Sequence, residues 1–147
     1  MGRVIGAGHR LSIGSGAFLI NVEQLRIGSN VYLGPGVWIN ALGGLDIGDE
    51  VIIGPYVCIA TTEHGFFRGS ARYGGTHLGS VALGRGSWIG SHATVMPGVN
   101  VGAGTVVAAN AAVTRTTPSD VVVGGVPAKV MKPRVDNPGG IERRSDV

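Results

Sequence analysis

The sequence predicts an all-β protein, a parallel β-helix built from hexapeptide repeats, and three observations carry that reading. From Leu83 to Val113 an aliphatic residue returns at every sixth position: Leu83, Ile89, Val95, Val101, Val107 and Val113. The fifth position of each six is small or β-branched (Ser87, Ala93, Val99, Thr105, Ala111). The 27 glycines recur in register with the aliphatics, as in Gly84, Gly90 and Gly102, so they mark a repeat rather than low complexity. A period of six fits neither the 3.6 of an amphipathic helix nor a long alternating strand. It fits one short strand and one corner per six residues, three sides to a coil, with coils stacked. The first and fifth residues are expected to face inward. Glycine at the second position is expected near the corner, where it supplies awkward backbone angles.

In chain order, Ile5-Gly6 and Ile13-Gly14 open the first copies, followed by Leu19. A two-residue slip at Leu25-Arg26 resets the register to Ile27, Leu33 and Ile39, and a second at Leu45-Asp46 resets it to Ile47, Ile53 and Ile59. After His64 the period stops, and an excursion loop is expected at about 65–82, carrying aromatics and arginines. A long loop inside a compact repeat commonly binds or covers a ligand. The repeat ends near Pro118. The segment Ser119–Met131 is expected to begin as a last strand, turn at Gly124-Gly125 and finish as a short irregular cap. The domain is thus expected to span residues 1–133, with a flexible tail over 134–147.

Charged residues make up 14% of the 147, well below the roughly one quarter of ordinary soluble domains. So short a prism leaves apolar side walls exposed, and an oligomer is expected. The formal charge of +3 lacks the basic stripe interleaved with stacking aromatics that nucleic-acid binding needs. Cys58 is the single cysteine, so neither an internal disulfide nor a cysteine metal cluster is expected; it reads as a passive wall residue. The first residues lack the apolar core of an export signal, and no run is long and apolar enough to cross a membrane. A cytoplasmic protein with no membrane insertion is expected.

The stretches SWIGSHATVMPGVNVGAG (Ser87–Gly104) and VVVGGVPAKVMK (Val121–Lys132) resemble the hexapeptide-repeat acyltransferases, nearest to the galactoside and maltose O-acetyltransferase group. The resemblance runs from about Asn21 to Lys132. It implies a left-handed β-helix, a homotrimer with active sites between subunits, acetyl-CoA as acyl donor without a metal, and a saccharide-like hydroxyl acceptor. It places His64 as the catalytic base, and imidazole suits proton removal from a hydroxyl near neutral pH. Asn40 is implied to set the active-site backbone and contact the acceptor. Trp88, Ser91, Ala109, Thr114, Arg115, Lys129 and Lys132 match positions along the coenzyme A groove, with the lysines serving its phosphates. The Ser91 N–H is a candidate oxyanion donor. His92 is expected to be a wall residue near the cofactor rather than a second base. Trp38, Phe66, Arg68, Arg72 and Tyr73 are candidates for acceptor recognition.

Three other readings compete with this one. An N-acyltransferase acting on an amino sugar would use the same parts. A zinc-dependent hydratase of the gamma carbonic anhydrase kind needs three histidines converging on one metal; His64, His77 and His92 have no paired spacing. A non-catalytic repeat protein would leave the histidine and the lysine-bearing end without a use.

Overall fold

The computed structural model describes residues 6–137. Each coil of the chain contributes one short strand to each of three walls, and strands stack in parallel on the coil before. The first wall holds Leu25–Ile27, Leu45–Ile47, Val81–Leu83 and Asn100–Val101. The second holds Ser12–Ile13, Tyr32–Leu33, Ile52–Ile53, Trp88–Ile89, Val106–Val107 and Val121–Gly124. The third holds Phe18–Ile20, Trp38–Asn40, Cys58–Ala60, Thr94–Val95 and Ala112–Val113. The predicted parallel β-helix is the observed architecture.

Register follows the hexad. Ile27 pairs with Ile47, twenty residues on, whereas Leu83 pairs with Val101, eighteen on. The two extra residues of the early coils are not the expected Leu25-Arg26 and Leu45-Asp46, which lie within strands. They are taken up at the corner before the first wall, by the 3-10 turn Val22–Gln24 and by the turn at residues 41–44. Leu25 and Ile27 therefore both point inward while Arg26 points out and meets Asp46 at 3.2 Å. Ala7 bridges Ile27, so Ala7-Gly8 stands one coil before Ile27-Gly28; Ile5, where the first copy was expected to open, lies outside the described residues.

The core is the stack of first- and fifth-position side chains. Leu33, Ile53, Ile89, Val107 and Val123 line up behind the second wall, and Ile39, Ile59, Val95 and Val113 behind the third, each essentially sealed from solvent. Each coil thus buries its apolar side chains against its two neighbours, and burial at about 25 cal/mol per Å² is the main stabilising term.

The second-position glycines do not have the expected role. None of Gly34, Gly54, Gly84 or Gly90 has a positive φ; a Cβ on Gly34 would stand 2.7 Å from the backbone of Gly54 and Pro55. Glycine there lets successive coils approach at the inter-strand distance. The left-handed angle falls instead at the fourth position: Asn30, Glu50, Tyr56, His92 and Asn110, and Gly36, Gly86, Gly98 and Gly104.

The excursion is more ordered than a loop. It leaves the third coil as strand Thr62–His64, which pairs antiparallel with Thr76–Leu78, and the chain is back in the first wall at Val81. Leu45 still pairs with Val81 across that interruption. The C-terminal cap is also a strand. Lys129–Pro133 folds back antiparallel on Val121–Gly124 and covers the edge of the second wall. The crossing segment over the fifth coil uses side chains for this purpose: Thr116 and Thr117 hydroxyls accept from the N–H groups of Asn100 and Gly102 at 3.1 and 3.0 Å. Arg134, beyond the expected domain limit, donates its N–H to Asp120 O at 2.8 Å and its guanidinium to the Asp120 carboxylate at 2.9 Å. Residues 138–147 of the expected tail lie outside the described residues.

Candidate functional site

His64 stands at the outer end of strand Thr62–His64, exposed, opposite Thr76 of the returning strand. It lines a small hollow of about 190 Å³ with Ala71 and Arg72. Strand alternation puts Glu63 on the other face, paired with His77. The hollow therefore holds an imidazole and a guanidinium with no carboxylate lining it. A second, larger hollow of about 580 Å³ opens farther out on the same arm, lined by Phe67, Arg68, Ser70 and Tyr73. There Arg68 lies over the Phe67 ring at 5.2 Å from its centroid.

Asn40 ends a third-wall strand one coil below the arm. Its Oδ1 accepts from Asn21 Nδ2 at 2.8 Å and from Leu42 N at 3.2 Å, and its Nδ2 donates to Thr62 Oγ1 at 3.4 Å. The side chain thus links the coil to the first residue of the strand bearing His64. Of the predicted acceptor-side residues, the fold groups Arg72 with His64, and Arg68 with Tyr73. Trp38 is elsewhere, in the outward row of the third wall between Phe18 and Cys58, and Phe66 lines neither hollow.

The seven predicted cofactor residues fall in three places. Thr114, Arg115 and Lys129 line one hollow of about 290 Å³ with Pro127 and Ala128. Trp88 and Lys132 line another, of about 380 Å³, on the second wall, with Val106, Val122, Pro133, Arg134, Val135 and Asn137. Ser91 and Ala109 lie on successive turns between the second and third walls, where Asn110 N donates to Ser91 O at 3.0 Å. The first hollow carries two cations and no carboxylate, and neither Arg115 nor Lys129 forms an ion pair among the described residues. That donor set suits a phosphate-rich ligand.

His92 and Cys58 line none of these hollows. His92 sits at a corner, stacked on Tyr56. Cys58 is half-buried in the outward row of the third wall, and burial pushes its thiol pKa up, which leaves it a poor nucleophile. No group of three or more His, Cys, Asp or Glu side chains able to hold a metal occurs among the described residues. No helix there is long and apolar enough to cross a membrane.

Comparison with known proteins fits this geometry. A hexapeptide-repeat-containing acetyltransferase from Vibrio cholerae O1 biovar eltor, solved with acetyl coenzyme A, superposes with a TM-score of 0.83 at 29% identity, over 89% of this chain and 72% of that one. The chain is similar to that acetyltransferase in both fold and sequence. By sequence it is 42% identical over 59 residues to a chloramphenicol acetyltransferase of Agrobacterium fabrum (strain C58 / ATCC 33970), a match covering 40% of this chain and 28% of the relative. It is 33% identical over 76 residues to the galactoside O-acetyltransferase of Escherichia coli (strain K12), covering 52% and 37% respectively. The chain thus matches about a third of the length of these curated relatives. No family model matches the sequence.

Sequence reasoning missed Thr61 and Thr62, which hold the root of the arm, and Pro127 and Ala128, which wall the basic hollow. The visible signal was the threonine pair, two polar residues set between the last wall strand and the histidine.

Proposed function

We propose that this chain is a cytoplasmic, acetyl-CoA-dependent O-acetyltransferase that uses His64 as general base on a saccharide-like hydroxyl. The observation that carries the reading is the placement of His64. It projects from a rigid prism on a two-stranded arm, exposed beside a hollow, while a separate basic hollow lies at the C-terminal end. The imidazole accepts the acceptor's hydroxyl proton as the oxygen attacks the thioester carbonyl. The carbon–sulfur bond breaks, and the imidazolium returns the proton to the departing thiolate. No covalent enzyme intermediate forms. Arg115 and Lys129 hold the donor's phosphates, and Arg72, Arg68 and Tyr73 orient the acceptor.

The working form is a homotrimer with sites between subunits. Trp88 and Lys132 line one hollow, and Thr114, Arg115 and Lys129 line another. Both sets reach one donor molecule when the wall of one copy faces the corner of the next. The outward rows support such packing. Tyr32, Ile52, Trp88, Val106 and Val122 form an apolar ladder on the second wall, and Phe18, Trp38 and Cys58 on the third, whereas the first wall shows Arg26, Asp46, Ala82 and Asn100.

The test is a thiol-release assay with acetyl-CoA and a panel of sugars, amino sugars and other alcohols. Acceptor-dependent release that falls about 10²–10⁴-fold in His64→Ala is expected. Near-parental turnover in an assembled His64→Ala protein would move the base elsewhere.

A further inference from the structure

We propose that Thr61 is the positioning residue of this site: its buried hydroxyl clamps the root of the arm and so fixes where His64 stands. The inference rests on the reading of His64 as the base.

Thr61 is fully buried, three residues before His64. Its Oγ1 donates to Asn40 O at 2.8 Å and accepts from Gly43 N at 2.8 Å. Its own N–H donates to Asn40 O at 3.2 Å, and its carbonyl accepts from Gly79 N at 2.9 Å. These four bonds join three separate pieces of chain. They are the corner of the coil below (Asn40–Gly44), the outgoing foot of the arm, and its returning foot at Gly79.

The corner is built for this approach. A Cβ on Gly43 would stand 2.4 Å from Thr61 O and 3.2 Å from Thr61 Cβ. No side chain other than hydrogen fits there, so Gly43 brings its N–H directly onto the threonine. Beyond these feet, every residue from Glu63 to Leu78 is exposed or only partly covered. The arm has no core of its own, and a two-stranded ribbon is marginal alone. Its angle to the prism is therefore set at its root. The second link, Asn40 Nδ2 to Thr62 Oγ1, is long at 3.4 Å, so the shorter Thr61 bonds dominate.

Valine matches threonine in shape but replaces the hydroxyl with a methyl group. Thr61→Val would leave Gly43 N–H buried against carbon while the rest of the corner stays packed. The arm's root would loosen and His64 would stray from the acceptor. Misplacement of a reacting group by an ångström costs up to about 100-fold in rate. The basic hollow lies two coils away and would be untouched.

The experiment compares parent, Thr61→Val and Thr61→Ser for kcat, for KM toward acetyl-CoA, and for hydrogen exchange of residues 62–78 against the walls. Expected are a kcat lowered about 10- to 100-fold in Thr61→Val, an unchanged KM for acetyl-CoA, faster exchange confined to the arm, and recovery of both in Thr61→Ser. Parent-like kcat and arm exchange in a folded Thr61→Val protein would overturn the proposal. If Thr61→Val fails to assemble, Thr61→Ala carries the same expectation without the added methyl. Failure of both to fold would assign the hydroxyl to coil stability alone and overturn it too. Hydrogen exchange separates the two readings. Faster arm exchange with no acetyl transfer in the parent would refute His64 chemistry and keep the clamp. Active parent with an indifferent Thr61→Val would do the reverse.

Discussion

The rings of Tyr56 and His92 stack with centroids 5.1 Å apart and planes 20° apart, one coil above the other at the same corner. Both residues hold positive φ, 57° and 60°. The hexad's fourth position demands that angle, and here two ordinary side chains meet it and recover part of the cost by stacking, worth about 0.5–1.5 kcal/mol.

His92→Asn keeps a residue tolerant of the left-handed region and removes the stack. The expected result is a fall in Tm of a few degrees, about 2–4 °C per kcal/mol for a chain of this size, with turnover close to the parent. A large loss of kcat would bring His92 into the chemistry.

Glycines at positions two and four should respond differently to alanine. Gly34→Ala drives a methyl into the backbone of the next coil, and overpacking of this kind costs about 1–3 kcal/mol or more. Gly86→Ala meets nothing within 4 Å and carries only the strain of φ 67°, about 1–2 kcal/mol. Urea melts of the two variants should place Gly34→Ala below Gly86→Ala; the opposite order would mean that backbone angle outweighs coil contact.

Arg115→Ala with Lys129→Ala should weaken coenzyme A binding and flatten its dependence on salt, because two charges facing phosphates are removed. Titration calorimetry at low and high ionic strength reads both quantities. An unchanged dissociation constant would make these side chains solvated charge only.

Ile52→Lys places a charge in the apolar ladder of the second wall and should break the assembly, while Arg26→Ala on the polar first wall should leave it intact. Light scattering at micromolar concentration distinguishes the two. A monomeric parent, or an intact Ile52→Lys assembly, would show that the second wall is not covered by another copy.

Burial raises the Cys58 thiol pKa, so the folded state favours the protonated thiol. Its contribution to stability is full below the thiol's ordinary pKa and is lost as pH rises through the raised folded value. Cys58→Ala should remove part of the alkaline decline in Tm without changing its acidic side. Identical alkaline slopes in parent and variant would place the thiol in water.

The prism was legible because its inward positions recur with the same residue types: Ile39, Ile59, Val95 and Val113 announce their wall wherever they occur. The backbone angle at position four was not, since glycine, asparagine, glutamate, tyrosine and histidine all fill it. The hairpin within the excursion was hidden for another reason. Thr62–His64 and Thr76–Leu78 have no buried face and show no apolar alternation. Lys129–Pro133 escaped notice as a strand because it is an exposed edge, with lysines and a proline where a core strand would carry valine. Among the candidate site residues, His64 was marked by the break in period. The Thr61 clamp depends on contacts with a corner about twenty residues earlier, which no local pattern reveals.

The arm enters and leaves the prism at two feet bonded to each other, Thr61 and Gly79, and the wall pairing of Leu45 with Val81 closes beneath it as though nothing intervened. The intervening segment is therefore a cassette. Outside His64 its length and composition can change without any coil changing its neighbours, so the prism's integrity places no constraint on what the arm carries.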